Sequence, residues 1–370
     1  MTNEQAGGRL ELTGARARML LDPPDVSALE SSGGKSGPPN DRDAKLIANR
    51  ISIHSSMGSA SAMAVSEEIV DRARTALVHL QQSNNASGLS DTDALALESV
   101  MHVRGRPAIR VLAKGLESLE YHPGSEFWQE FIGLFESQIV SVAAVTGAVL
   151  VTSFSTGNSP WVQGSAWLNA ADRVVTNRHV LAPPSGDGRL IDEAKEGGRT
   201  HLRTGYSLAI EFAADNREEP KRIQRRVIDV LYVAKPRDPV DIAVLAIEPY
   251  DEQRPLQLAN VSARPPKNLF VVGHPGLLAE IPYAVRAVFG NPDGKKRVSF
   301  GKLLDNVARE AEIAYDASTI GGYSGGPVVG IGDDAVAGLH YLGDPVTGNL
   351  AISAEAIRRH QAYQHVAGPL

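Results

Sequence analysis

The pattern of hydrophobic and polar positions divides the chain into three parts. Residues 1–61 are polar and rich in Gly, Ser, Pro and Asp. Such a composition buries too little apolar surface to offset the entropy lost on ordering, so we expect a disordered tail. Residues 62–142 carry apolar stripes at helical spacing, which predict a small helical region. From residue 143 to 370 the pattern changes to short β-rich runs separated by Gly, Pro, Asn and Asp, which is typical of an all-β sandwich or barrel.

Three helices are predicted in the middle part. The first begins after Ser66, where two glutamates precede an apolar stripe, and the second follows Ser90. The third runs from Ser125 to Ile139 and has an aromatic face made by Phe127, Trp128, Phe131, Ile132, Leu134 and Phe135. Stripes of this kind normally pack in a core. The sequence leaves two roles open for the region, a packing domain or a module that regulates the rest and binds a protein partner.

Composition and charge exclude several classes of function. The 370 residues include no cysteine, which excludes disulfides, thiolate zinc sites and a cysteine nucleophile. A net charge of -6 gives no general attraction to nucleic acid or to an anionic membrane. The sequence contains neither a secretory signal pattern nor a run of ~18 apolar residues. We therefore expect a cytoplasmic protein without a nucleic-acid or membrane partner.

No metal or cofactor site is predicted. His360 and His365 are the one histidine pair with spacing suited to metal ligands. We interpret this pair as part of a solvated C-terminal helix.

Two segments supply a histidine and a carboxylate in settings suited to catalysis. A serine nucleophile needs a base that accepts its proton and a third group that orients the base. His179 follows the run RVVTNR, just beyond a predicted strand. Asp241 opens the apolar run DIAVL, where its charge could meet an imidazole rather than bulk water.

A third segment, TIGGYSGGP, surrounds Ser324 with glycines. Glycines permit backbone torsions that a Cβ would oppose, so this turn could expose the Ser324 hydroxyl. It could also direct the amides of Gly322 and Ser324 toward one point, as an oxyanion hole requires. Together the three segments predict a catalytic triad of His179, Asp241 and Ser324.

Taken in order, these segments resemble the chymotrypsin-fold, trypsin-like serine peptidases, particularly the bacterial branch of glutamyl endopeptidases and high-temperature-requirement proteases. The matching motifs are VTNRH, DIAVL and GYSGGP, with further matches at VVGHP and GLHYLG. They cover roughly residues 145 to 357. The resemblance implies a mainly β fold with two six-stranded antiparallel β-barrels and the triad at their interface. It also implies a protein or peptide substrate and no cofactor.

Two other functions are considered. The segment GYSGG also fits the nucleophile elbow of an α/β-hydrolase, but that fold needs an acid and a histidine downstream and a parallel sheet upstream, which the sequence does not indicate. The chain could instead be a pseudopeptidase, a binding scaffold with the peptidase fold. The presence of all three triad residue types argues against this second alternative.

Tyr323 departs from the family pattern, which usually has Asp or Asn at this position. In trypsin-type zymogens that Asp pairs with a newly formed α-amino group and orders the oxyanion loop. A tyrosine cannot make this ion pair. The loop is therefore expected to be preformed or to be ordered by something else, for which the N-terminal region is the candidate.

The resemblance also places a primary specificity pocket. Its base lies at Ser318 and Thr319, and its wall is formed by His340, Tyr341, Leu342 and Gly343. Glutamyl endopeptidases have Thr and His at the positions of Thr319 and His340, so an acidic substrate side chain and a small or medium apolar one both remain open. No acidic residue stands at the pocket base, which disfavours cleavage after Lys or Arg.

Overall fold

The computed structural model describes residues 105–367, apart from short gaps, and scattered positions between residues 45 and 78. The gaps are residues 123–124, 156–159, 184–188, 194–198, 214–222, 261–266, 277–287, 290–293, 305–310 and 345–347. The described positions between 67 and 78 are helical, as predicted from the stripe after Ser66. The helix predicted after Ser90 and almost all of the predicted tail lie outside the described residues.

The described part of the chain is mainly β. Its strands are β1 (Ala108–Leu112), β2 (Gly115–Leu116), β3 (Thr146–Ser153), β4 (Trp161–Ala170), β5 (Arg173–Thr176), β6 (Ile191–Asp192), β7 (His201–Leu202), β8 (Tyr206–Glu211), β9 (Gln224–Val233), β10 (Ala243–Ile247), β11 (Gln257–Leu258), β12 (Asn268–Gly273), β13 (Arg297–Lys302), β14 (Glu312–Tyr315), β15 (Pro327–Gly330), β16 (Ala335–Asp344) and β17 (Gly348–Ser353). Its helices are α1 (Glu126–Ala144), α2 (Arg178–Leu181), α3 (Ala354–Arg359) and α4 (Tyr363–Ala367), with a 3₁₀ turn at Leu119–Tyr121. Among the helices in these residues, none is long and apolar enough to span a bilayer.

Six strands close into an antiparallel barrel in the order β10-β5-β4-β3-β8-β9. Closure leaves no free strand edge in this half. Alternating positions of β3, such as Val149 and Val151, are fully buried and share a core with Trp167 of β4. The first of the two predicted barrels is confirmed.

The second half forms a larger sheet in the order β14-β17-β16-β15-β12-β13-β1-β2, with β11 added beside β16. The first six of these strands are the number expected for a second barrel. Their outer members β13 and β14 are joined only by an isolated bridge between Leu303 and Tyr315. The edge of β13 that faces away from β12 pairs with β1 over three residues instead. No continuous ladder closes this sheet in the described residues, and the second barrel stays a prediction.

Residues before position 143 contribute to the same core as the strands. β1 pairs with β13 from Ala108 opposite Ser299 to Arg110 opposite Arg297. The helix predicted from Ser125 is confirmed as α1, whose Trp128 is fully buried in the shared core. The domain division after residue 142 stays a prediction. These contacts show that β1 and α1 pack with the strands rather than apart from them.

A buried lysine joins α1 to the barrel and to the second sheet. Lys296 lies just before β13 and donates from Nζ to Ala143 O at 2.6 Å, at the end of α1, and to Phe212 O at 2.8 Å, just after β8. Burial lowers the pKa of Lys296 to about 7, against the opposing effect of the Glu211 charge. One side chain thus satisfies a carbonyl of the last helical turn and a carbonyl of the barrel.

Replacement of Trp128 tests the packing of α1. Its ring packs against Phe131 and Phe300, and its Nε1 donates to Gly105 O at 2.9 Å. Trp128→Ala should therefore lower the free energy of unfolding by about 3–5 kcal/mol, measured by urea denaturation. The matched change at the exposed neighbour, Gln129→Ala, should stay within about 0.5 kcal/mol. Equal effects of the two substitutions would contradict the packing described.

Lys296 should also make stability depend on pH. Its pKa is about 7 in the folded chain and 10.5 in the ordinary case, so the unfolded chain binds more protons between these values. The free energy of unfolding therefore rises with pH between these two values. The contribution of Lys296 to stability is fully present above the pKa of the unfolded chain and is lost as pH falls toward the pKa of the folded chain. Lys296→Met should abolish this rise of unfolding free energy with pH, whereas Lys235→Met, on the surface, should keep it. An unchanged pH profile in Lys296→Met would exclude a depressed pKa at this position.

Candidate active site

The register of two barrel strands brings His179 and Asp241 together. β5 and β10 are antiparallel neighbours, with Thr176 opposite Ala243. His179 follows the end of β5 and Asp241 precedes the start of β10, so both lie at the same edge of the barrel. Asn177 fixes this edge by donating from Nδ2 to Asp241 O at 2.8 Å.

The two side chains form a buried hydrogen bond. His179 Nδ1 lies 2.6 Å from Asp241 Oδ2, and the His179 backbone amide donates to Asp241 Oδ1 at 3.2 Å. The exposed fractions are 0% and 1%, so the carboxylate is compensated by protein donors rather than by bulk water. A carboxylate can only accept, so Nδ1 carries the proton and the lone pair of a neutral His179 lies on Nε2.

Ser324 lies on a turn that requires glycine. Gly322 and Gly325 have φ values of +98° and +87°, in the left-handed region that side chains disfavour. A Cβ on Gly322 would lie 2.1 Å from His274 O, just after β12. The glycines therefore let the turn lie directly against the end of β12.

The turn also approaches the barrel. The Ser165 amide donates to Ser324 O at 2.7 Å. A Cβ on Gly164 would lie 2.8 Å from Val180 Cγ2 and 3.1 Å from Ser324 O, so glycine is needed where the turn meets the residue after His179. His179 Nε2 is buried and makes no hydrogen bond to any residue that the structure describes, Ser324 included.

The predicted oxyanion donors make no hydrogen bond to the residues that the structure describes. They are the backbone amides of Gly322 and Ser324. Ser324 is 5% exposed, at the surface of an otherwise buried turn. Two unpaired amides two residues apart, one of them on the serine itself, are the arrangement that stabilises an oxyanion in acyl transfer.

His340, predicted for the pocket wall, is buried and paired. Its Nδ1 lies 2.7 Å from the Tyr315 hydroxyl. Burial and, to a smaller extent, the charge of His179 lower the pKa of His340 to about 3, so the ring is neutral at physiological pH. Its backbone is hydrogen-bonded to the two glycines that follow Ser324, which ties the wall strand to the turn.

The hydroxyls predicted for the pocket base are engaged in two directions. Thr319 donates to Asn349 Oδ1, and Asn349 Nδ2 donates to Ala317 O at 2.6 Å. Ser318 donates instead to Arg106 O at 2.8 Å. Thr319 therefore belongs to a network with β17, whereas Ser318 holds the segment that enters β1.

Among the other predicted wall residues, Tyr341 lies at a bulge in β16, and Leu342 and Gly343 follow it. The register with β17 shifts between His340 and Leu342. The Tyr341 hydroxyl donates to Glu312 Oε1 at 2.6 Å, Leu342 is buried, and Gly343 pairs with β17. A bulge redirects the side chains on either side of it, which separates the partners of Tyr341 from those of its neighbours.

The N-terminal segment reaches the predicted pocket base. Arg106 binds Asp316 with two parallel hydrogen bonds, from Nε at 2.8 Å and from Nη2 at 2.6 Å. The Lys302 amide donates to the same carboxylate at 2.6 Å. With its carbonyl on Ser318, Arg106 contacts the pocket segment at two points two residues apart.

Several residues of this region escaped sequence reasoning. They share no local motif, because each acts through a partner far away in the chain. They are Arg106, Ser165, Ser299, Tyr315 and Asn349. His274 lies within the VVGHP match, which did not predict its contact with Ser165.

The interpretation of the C-terminal histidines as part of a solvated helix is wrong for His360. Its side chain is 14% exposed, and its Nε2 lies 3.1 Å from Asp238 Oδ2. The Ala362 amide donates to its Nδ1 at 3.2 Å. The His360 ring caps the chain after α3 and pairs with the loop that leads to Asp241. Where the structure describes side chains, no group of three or more His, Asp or Glu is arranged to hold a metal ion.

Comparison with known proteins points to one family. Residues 164–339 match the model of the trypsin-like peptidase domain. The matched span runs from the barrel strand β4 to β16 and includes His179, Asp241 and Ser324. The match supports a peptidase, a hydrolase with a trypsin-like domain.

Two solved structures are similar to this chain. The Rv3671c protease in an inactive form has a TM-score of 0.38 and 17% identity, over 63% of this chain and 94% of its own. Deg5 has a TM-score of 0.39 and 18% identity, over 66% of this chain and 97% of its own. A search of curated protein sequences found no match.

Proposed function

We propose that this chain is a serine endopeptidase that cleaves proteins or peptides through His179, Asp241 and Ser324. The observation that carries the proposal is the buried hydrogen bond of 2.6 Å between His179 Nδ1 and Asp241 Oδ2. It orients the imidazole with Nε2 available as a base. The trypsin-like domain match over residues 164–339 supports the same chemistry.

In the proposed reaction, Ser324 Oγ attacks the scissile carbonyl carbon and its proton passes to His179 Nε2. The oxyanion that forms is bound by the amides of Gly322 and Ser324. The C–N bond then breaks as His179 returns the proton to the leaving amine, and the acyl group remains on Ser324. Water, deprotonated by His179, releases the acyl group by the same route in reverse. Asp241 holds the imidazole in place and stabilises its protonated form.

We also propose that the N-terminal region, residues 62–142, controls this site. The support is the position of Arg106, which binds Asp316 and accepts a hydrogen bond from Ser318. A partner protein that moves the N-terminal region would act on the pocket base through these contacts.

The proposed substrate has a small or medium uncharged side chain before the cleaved bond. A neutral His340, whose Nδ1 is engaged with Tyr315, brings no positive charge to the pocket wall. A substrate with Glu before the cleaved bond therefore gains little binding free energy over the same substrate with Gln. The nearby carboxylate of Asp316 is bound by Arg106, so it does not attract Lys or Arg.

Reaction with a fluorophosphonate probe tests the triad. The purified wild-type chain should be labelled on Ser324, located by mass spectrometry, because the probe needs an activated serine. Ser324→Ala and His179→Ala should abolish labelling, and Asp241→Asn should slow peptide hydrolysis by about 10⁴-fold. Ser137→Ala and His201→Ala, at exposed positions away from the site, serve as matched controls and should react normally.

The same experiment separates the enzyme from a binding scaffold. A wild-type chain that is folded by circular dichroism but not labelled would favour the pseudopeptidase. Labelling that survives in folded Ser324→Ala would show that another serine is the nucleophile.

A panel of peptides that differ only in the residue before the cleaved bond tests the pocket. Val and Ala peptides should be cleaved with the highest kcat/KM, Lys and Arg peptides with the lowest, and Glu and Gln peptides within a few-fold of each other. A Glu peptide that is cleaved about 100-fold faster than its Gln counterpart, a difference of about 2.7 kcal/mol, would show a charged recognition site instead. That preference should then disappear in His340→Ala.

A further inference from the structure

Tyr323 occupies the interior beneath the Ser324 turn. The residue is fully buried, and its hydroxyl lies 2.8 Å from Ser299 Oγ on β13. Its ring makes edge contacts with Phe289 and His340, at centroid distances of 6.2 and 6.3 Å. The position of the ring is thus fixed by Ser299 of β13, by His340 of β16 and by Phe289, which lies outside the strands.

Gly273 also contacts the ring of Tyr323. A Cβ on Gly273, at the end of β12, would lie 2.4 Å from the Tyr323 ring. The ring therefore lies directly on the backbone of β12, where no larger residue fits. Burial raises the pKa of the Tyr323 phenol above its ordinary value, so the group is neutral and needs no charged partner.

The peptide groups on both sides of Tyr323 are held by their carbonyls. Gly321 O accepts a hydrogen bond from the Gly276 amide at 2.9 Å, and Tyr323 O accepts one from the Gly326 amide at 2.8 Å. In a trans peptide the N–H points away from the C=O. The two anchored carbonyls therefore turn the amides of the following residues, the predicted oxyanion donors, in the opposite direction.

The intervening carbonyl is held from the barrel. Ser165 Oγ donates to Gly322 O at 2.8 Å, and it accepts a hydrogen bond from the His274 amide at 3.1 Å. Three successive carbonyls of the turn are thus bound to protein donors. Rotation of any of these peptides would break such a bond.

We propose that Tyr323, held by Ser299, is a positioning residue that keeps the oxyanion loop in its reactive conformation in the uncleaved chain. The inference rests on the proposed peptidase function. A buried carboxylate at this position would order the loop only when an ion-pair partner arrives, whereas a neutral phenol orders it as soon as the chain folds. The enzyme then needs no new α-amino group to become active. Its control acts on substrate access or on the pocket rather than on the oxyanion hole.

The rate of fluorophosphonate labelling in the intact chain, verified by mass, tests the proposal. Tyr323→Phe keeps the ring, and Ser299→Ala keeps the phenol, so each should slow labelling by only about 3- to 10-fold. The double variant should be no slower than either single one, since no buried hydroxyl is left without its partner. Tyr323→Leu removes the ring and should slow labelling by about 100-fold or more, as loss of an oxyanion donor does. Tyr206→Phe, on β8, is the matched control and should behave as wild type.

A second readout separates positioning from general destabilisation. A peptide aldehyde with the best residue of the substrate panel forms a tetrahedral adduct with Ser324 whose oxygen occupies the oxyanion hole, whereas the matched peptide alcohol does not. Tyr323→Leu should weaken binding of the aldehyde by about 100-fold and binding of the alcohol by less than about twofold. Equal weakening of the two, or wild-type labelling by folded Tyr323→Leu, would overturn the proposal. If Tyr323→Leu does not fold, an unchanged aldehyde-to-alcohol ratio in both Tyr323→Phe and Ser299→Ala overturns it.

Labelling of the intact chain and of the cleaved chain distinguishes a failure of the proposed role of Tyr323 from a failure of the proposed peptidase function. Equal labelling of the intact chain and of the chain cut between residues 1 and 104 is the expected result. Labelling of the cut chain alone would overturn the role of Tyr323 and leave the peptidase intact. Absence of labelling in both, with the fold retained, would remove the proposed function and the inference with it.

Discussion

Asp241 brings a carboxylate into the interior, where an uncompensated charge would be costly. His179 supplies two donors to it, the ring Nδ1 at 2.6 Å and the backbone amide at 3.2 Å. Asn177 donates to the backbone carbonyl of Asp241. All these donors are placed by the pairing of β5 with β10. The register of these strands therefore brings together groups that compensate the buried charge, and the orientation of the imidazole follows from the fold itself.

The proposed nucleophile comes from the other half of the chain, so the site depends on how the two halves are joined. The hydrogen bond between the Ser165 amide and Ser324 O ties β4 to the serine turn. Lys296, just before β13, is hydrogen-bonded to the end of α1 and to the barrel segment after β8. The C-terminal helices return to the barrel, where Asn169 donates to Val366 O at 2.5 Å. These contacts are polar and buried, so each is sensitive to the loss of one partner.

In the proposed role of Tyr323, packing takes the place of an ion pair at the serine turn. Tyr323 fills a space bounded by Gly273, Phe289 and His340 and anchors its hydroxyl on Ser299. The same His340 is bonded through its backbone to the glycines after Ser324 and through its ring to Tyr315. The predicted pocket wall at His340 and the turn around Ser324 therefore share one buried network.

Local pattern was sufficient for several features of this protein. The aromatic stripe after Ser125 predicts α1 because a helix places such positions on one face, and the runs around His179 and Asp241 mark the ends of strands. The glycines around Ser324 predict a turn with left-handed torsions, which Gly322 and Gly325 adopt. These signals are readable because each depends only on neighbours in the chain.

Only the tertiary structure decided which distant groups meet. Nothing in the run AIRVL indicates that β1 pairs with β13, and no spacing links Tyr323 to Ser299 or Thr319 to Asn349. His360 was interpreted as solvated because its pairing with Asp238 joins residues more than a hundred positions apart. The alternation of a strand sets which face is buried but not which strand lies beside it, and a buried polar group finds its partner only after the packing is complete. For that reason the sequence determined the types of residue and their local geometry, whereas the fold determined their partners.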